Sequence, residues 1–199
     1  MMQPKGNQMK GRESGMPDEA YWHTFFNAEC IIRKLFGETR LQGNVVEFSS
    51  GYGTFTLPAA QHTAGIVCAL DIEPDLIDGL RRKAVAQSLP NIDAALRDFV
   101  NDGTGLATGS QVHAMIYNLL HIEQPVALLK EAHRVLQHDG TLSVIHWRSD
   151  RPTPRGPSLA IRPTPEQCKT WIAAAGFHTI QNVNLHDCCQ FHFGIVAHH

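Results

Sequence analysis

Glu47-Phe-Ser-Ser-Gly51-Tyr-Gly53 stands where an apolar run, Asn44 to Phe48, gives way to a short helical pattern beginning near Thr56. Glycines at such a turn admit positive φ and let a ligand come close to the backbone, which a Cβ would prevent. A second apolar run, Gly65 to Asp71, ends in an acid eighteen positions after Gly53. That is close to the spacing at which a carboxylate meets a ribose diol, so the pair points to an adenosine-containing ligand. A dinucleotide fingerprint would want Gly or Ala at position 56, where this chain has Thr56, and a reductase would want a Tyr-x-x-x-Lys pair, which is absent.

These residues need a frame, and the pattern of the chain supplies one. Strand-length apolar runs alternate with helical periodicity from Asn44 onward, the mark of βαβ units and a parallel sheet covered on both faces. Expected strands are 44–48, 65–71, 92–96, 114–118, 141–147, 179–185 and 191–197. The last two are separated by too short a loop for a crossover helix, so they should pair antiparallel, leaving one reversed strand near an edge. One helix is expected to carry Leu76, Ile77, Leu80, Ala84 and Val85 on a single stripe. Another runs from Pro125 through Leu136, with Gly140 stopping it in the left-handed conformation. Thr164-Pro-Glu-Gln167 reads as a capping box with proline in the first turn, opening a last helix that closes at Gly176-Phe177.

Several ordered motifs together resemble the class I methyltransferases that use S-adenosylmethionine. Glu47-x-Ser-x-Gly51-x-Gly53 is similar to their E/D-x-G-x-G-x-G loop, Leu70-Asp71-Ile72 to their second-strand acid, and Arg97-Asp98-Phe99 to their adenine-binding turn. Ala132-His-Arg-Val-Leu136 with Asp139-Gly140 resembles the stretch before their fifth strand, and Ala175-Gly176-Phe177 a later motif. The likeness runs from about residue 44 to 197 and is nearest to the ubiquinone/menaquinone-biosynthesis-like, or type 11, group. Ser49 departs from the family's first glycine.

The resemblance implies a Rossmann-like, doubly wound, seven-stranded sheet and S-adenosylmethionine as cofactor. It implies that Glu47 and the backbone from Ser49 through Gly51 to Gly53 hold the methionine end and that Asp71 holds the ribose. Ile72 would face the adenine, Asp98 and Phe99 its edge and other face, and Asn118 the sulfonium. Methyl transfer by in-line displacement to a small acceptor follows. A non-catalytic adenosine-binding module, which would keep the glycines and the acid but need no acceptor pocket, is the competing reading.

Other residues sharpen or limit this picture. His121 follows Asn118 where an acceptor should lie, and an imidazole suits proton transfer near neutral pH; a loop histidine satisfied by a carbonyl is the alternative. His146 and Trp147 face the same region. Tyr21, Trp22, Phe25 and Phe26, expected in a first helix, read either as an aromatic lid over a sulfonium or as packing on the sheet. Arg148, Arg151, Arg155 and Arg162 lie in one loop and raise the reading of an anionic acceptor against that of a solvated loop. Asn118-Leu-Leu-His121 lacks the N/D-P-P-Y/F tetrad of DNA amino-methyltransferases, and 17 basic against 19 acidic residues give no general attraction to phosphate backbones, so nucleic acid is not expected as a partner.

Twelve histidines are scattered without ligand spacing and five cysteines show no paired C-x-x-C, so no metal site and reduced thiols are expected. Vicinal Cys188-Cys189 reads as part of an edge turn rather than as a metalloid site. Residues 1–15 are polar and unpatterned and read as a disordered tail. Residues 16–199 read as one domain, 16–43 a helical lid and 44–199 the core. With no apolar run of membrane-span length, a cytoplasmic location is expected by default.

Overall fold

The computed structural model describes residues 16–199, so the tail expected over 1–15 lies outside the described residues. Seven strands form one sheet: β1 (Val45–Phe48), β2 (Val67–Asp71), β3 (Ile92–Leu96), β4 (Gln111–Tyr117), β5 (Leu136–Trp147), β6 (His178–Val183) and β7 (His192–His198). Their order is β3-β2-β1-β4-β5-β7-β6. β1 through β5 pair in parallel, while β7 runs antiparallel to both β5 and β6. This is the doubly wound arrangement with one reversed strand beside the edge that the sequence predicts.

Seven helices cover the sheet: α1 (Glu19–His23), α2 (Ala28–Phe36), α3 (Thr56–Gln61), α4 (Pro74–Ala86), α5 (Phe99–Asp102), α6 (Pro125–Val135) and α7 (Pro165–Ala174). Strand alternation decides which residues meet which layer. Val46, Phe48, Ala114, Ile116, Leu142 and Val144 pack against α6 and α7. Val45, Met115, Tyr117 and Ile145 turn the other way, against α2 and α3. α4 closes over Ala69 and Ala94 with Ile77 and Leu80. The Thr164 capping box forms in full, both reciprocal hydrogen bonds being present.

Three local expectations need correction. Val85 is 82% exposed, because the buried stripe of α4 follows Ile77, Leu80 and Ala84 and leaves the next position outside it. α6 ends at Val135, and Leu136 already belongs to β5. The left-handed residue in that connection is Asp139 (φ 64), not Gly140. Gly140 answers to space instead: a Cβ there would lie 2.8 Å from the carbonyl oxygen of Gln137.

The first helix is also shorter than expected. α1 ends at His23, and Phe25 and Phe26 occupy the turn before α2, where Asn27 caps the new helix by accepting from the Cys30 N–H.

The cysteines differ most from expectation. Cys30 of α2 is disulfide-bonded to Cys188, 158 positions away, so the five thiols are not all reduced; Cys68, Cys168 and Cys189 remain free and buried. Folding sets the start of α2 against the β6–β7 loop, where the Asn27 N–H donates to the Cys188 carbonyl at 2.8 Å. No spacing in the sequence encodes that proximity. Among the described residues no helix is long and apolar enough to cross a membrane.

Candidate functional site

The strand order reverses between β1 and β4, and in open α/β sheets the crevice outside the carboxyl ends of such a pair is where ligands lie. The loop after β1 fills the near wall of that crevice. It turns through three left-handed residues, Ser49 (φ 63), Gly51 (φ 54) and Gly53 (φ 78). A Cβ at Gly53 would stand 2.5 Å from Leu80 of α4, so this glycine is required by loop-to-helix contact as well as by φ. Ser49 adopts the conformation that glycine takes without strain, which locates the cost of its departure from the family loop in the backbone.

Beneath the loop, Glu47 is fully buried on the α3 side of β1 and accepts a hydrogen bond from Thr56 Oγ1 at 2.5 Å. Burial pushes its carboxyl up to about 8, with the Thr56 bond opposing and the Asp71 charge adding to the rise. Asp71, at the end of β2, accepts from the Gly51 N–H at 2.8 Å and from the Glu73 N–H at 3.1 Å. Burial raises its pKa, opposed by these backbone donors. A carboxylate offers about four lone-pair directions, so beside the Gly51, Glu73 and Ile72 N–H groups one remains for a ribose hydroxyl.

On the far wall, Asn118 follows β4 in the left-handed conformation (φ 56), fixed by its N–H to the Ile145 carbonyl at 2.7 Å. Both polar atoms of its side chain are buried without a hydrogen-bond partner, as is the Ser50 hydroxyl in the loop opposite. Orphaned polar atoms on both sides of the crevice fit a polar ligand seated between them, since buried groups of this kind are otherwise paired.

The adenine-turn candidates fare differently. Ile72 is partly exposed beside Asp71. Asp98 caps α5, accepting from the Asn101 N–H at 3.1 Å and from the Asn101 side-chain amide at 2.6 Å. Phe99 is buried edge-on against Phe48 at 5.4 Å, so its ring serves the core in this structure.

The N-terminal segment lies over the loop. Trp22 Nε1 donates to Thr54 Oγ1 at 3.0 Å, Tyr52 Oη donates to the Pro17 carbonyl at 2.7 Å, and the Met16 side chain sits 3.3 Å from where a Gly51 Cβ would be. Lys83 ties this segment to α4 through Glu19 and through the Tyr52 carbonyl at 2.9 Å. A cavity of about 400 Å³ opens beside this tie, lined by Glu19, Tyr52, Asp75, Arg82 and Lys83 among others.

Trp22 and Phe25 pack edge-on against Trp147 at the end of β5, with ring centroids 6.3 and 5.4 Å away. Trp22, Phe25 and Phe26 thus pack at the end of the sheet, as the packing alternative expects, whereas Tyr21 is 45% exposed.

Beyond Asn118, His121 Nδ1 lies 3.2 Å from His146 Nε2. Burial lowers the pKa of both imidazoles, that of His146 to about 3. His192, which the sequence reading passed over, is buried between Trp147 and Phe26, with ring centroids at 4.0 and 4.7 Å. Neither of its ring nitrogens has a partner.

In the arginine loop Arg148 and Arg151 meet on one carboxylate, that of Asp150, which Arg151 approaches at 3.5 Å. Arg148 pairs with Asp150, at 2.9 and 2.6 Å, while Arg162 is buried and donates to the carbonyls of Pro157, Arg148 and Arg155. The one group of three metal-capable side chains among the described residues is Cys30, Asp187 and Cys188, two of which form the disulfide.

Residues 45–140 match the family model of a methyltransferase domain. No curated protein is similar to the sequence. Among solved structures the chain is similar to a SAM-dependent methyltransferase from Aquifex aeolicus at 18% identity, over 87% of this chain and 90% of that one, with a TM-score of 0.75. It is also similar to a proposed type 11 methyltransferase from Sulfolobus solfataricus at 20% identity, over 87% and 92%, with a TM-score of 0.66. A third is a geranyl diphosphate methyltransferase in complex with SAM, at 10% identity, over 86% and 82%, with a TM-score of 0.65.

Proposed function

We propose, from the premise that this chain is a class I S-adenosylmethionine-dependent methyltransferase, that it methylates a small acceptor by in-line displacement in the crevice between β1 and β4. The observation that carries this is the placement of orphaned polar atoms, Ser50 Oγ and both side-chain atoms of Asn118, on opposite walls of the crevice at the switch in strand order. When bound, the cofactor supplies a methyl carbon already activated by its sulfonium.

The chain's own residues then have positioning to do. The backbone from Ser49 to Gly53, with Glu47 beneath it, holds the methionine end, and Asp71 takes a ribose hydroxyl while keeping the loop in shape through Gly51. Ile72 and Asp98 border the adenine while Phe99 stays in the core, and Asn118 stands by the sulfonium. Trp22, Phe25 and Trp147 exclude water from the reacting atoms. Alignment of this kind supplies roughly 7–11 kcal/mol of a barrier, and a reaction that disperses charge gains most from it. His121 takes the proton that a protic acceptor releases.

The test is turnover. Labelled-methyl S-adenosylmethionine is incubated with phenols, thiols, nitrogen heterocycles, carboxylic acids and phosphate esters. Label transferred to one class with equal release of S-adenosylhomocysteine is the expected result, with His121→Gln lowering kcat about 10²–10⁴-fold. Cofactor binding without transfer to any class would return the chain to a cofactor-binding module.

A further inference from the structure

His121 and His146 form a directed pair, and the direction can be read from the carbonyl at its inner end. His146 Nδ1 lies 3.2 Å from the Trp147 carbonyl oxygen, which can only accept. A bare Nδ1 there would set two lone pairs against each other, so Nδ1 carries the hydrogen. Burial keeps His146 neutral, and the neighbouring His121 and Arg162 oppose its protonation further. A neutral imidazole with its hydrogen on Nδ1 has a bare Nε2, and the His121 Nδ1 at 3.2 Å must then be the donor. His121 is neutral by its own burial, so its Nε2 holds a lone pair. Among the described residues no hydrogen bond occupies that nitrogen, and His121 is the partly exposed member of the pair.

The groups around the pair fit this assignment. Phe193 stacks on His146 at 6.1 Å. Arg162 is fixed by three carbonyls and cannot swing to neutralise a partner. His192 offers no hydrogen bond to either ring. Proton acceptance therefore falls to the outer nitrogen of the outer ring.

We propose that His146 is a positioning residue that locks His121 in the Nδ1–H tautomer, so that the His121 Nε2 lone pair faces an acceptor bearing an O–H, N–H or S–H group. The acceptor heteroatom forms its bond to the methyl carbon, the electron pair of the broken C–S bond stays with sulfur, and the heteroatom's proton passes to His121 Nε2. This rests on the role of His121 given above, but it fails separately.

The experiment is nitrogen–proton correlation NMR on the histidine-labelled full chain at neutral pH with S-adenosylhomocysteine, since it distinguishes a protonated ring nitrogen from a bare one. In the wild type, His121 and His146 should both be protonated at Nδ1. His146→Leu removes the acceptor, and His121 should shift to mainly Nε2–H, the tautomer usual in solution. His146→Gln can place a carbonyl oxygen where Nε2 was and should restore Nδ1–H. A wild-type His121 bare at Nδ1, or one unmoved by His146→Leu, overturns the proposal. If the leucine variant does not fold, the wild-type spectrum decides alone. Calorimetry of S-adenosylhomocysteine on the same samples separates the two claims, because absent binding strikes the methyltransferase site and leaves the tautomer result standing.

Discussion

Glu47 shows how much of a residue's role lies outside its letter. Its type and its place before a glycine loop are legible in the sequence, whereas its burial under α3 and its bond from Thr56 depend on how the helix returns across the strand. The consequence is a signed pH effect. The folded carboxyl titrates at about 8 against an ordinary value of 4.5, so the folded state binds more protons between those limits. The stability this group contributes is fully present below about 4.5 and is lost as pH rises through 8. Glu47→Gln should therefore leave Tm nearly unchanged near pH 4.5 and raise it relative to wild type by pH 8–9, as followed by thermal melts across that range; equal melts at the alkaline end would contradict the buried, protonated carboxyl. Asp71, Gly51, Gly53 and Asn118 were readable as types at the right spacing. His192 was not, because nothing in Phe191-His-Phe193 says that the imidazole turns inward between two aromatic rings.

At the scale of elements, periodicity located all seven strands and the main helices, and it failed where short connections override propensity. β5 begins at the residue after α6, so the expected glycine stop has no room and the turn falls on Asp139. The link between α2 and the β6–β7 loop was equally hidden, since Cys30 and Cys188 meet only in the folded chain. Denatured, unreduced protein should accordingly titrate three thiols, those of Cys68, Cys168 and Cys189, and five after reduction. Closing so long a loop contributes about 2–4 kcal/mol, so reduction or Cys30→Ser should lower Tm by roughly 5–15 °C. Five thiols before reduction would remove the tether from the account.

For the whole molecule, the decisive feature is that the chain's winding reverses between β1 and β4 and leaves a crevice there, with the glycine loop, Asp71 and Asn118 at its rim. The sequence foretold the sheet because the central strands β1, β2 and β4 are nearly continuous apolar runs, as burial on both faces demands, while β3 and β6 towards the edges are more polar and exposed. It could not foretell which wall atoms would be left without partners, since that is settled by packing of distant segments. Those atoms make the cofactor claim testable. Isothermal titration of the purified chain with S-adenosylmethionine, S-adenosylhomocysteine and NAD is the most direct measurement. The sulfur-bearing adenosines should bind and NAD should not, and Asp71→Ala should weaken binding about tenfold or more, the worth of a hydrogen bond to a charged group. Heat from NAD alone, or from no ligand up to about 1 mM, a threshold near 4 kcal/mol of binding, would contradict the account.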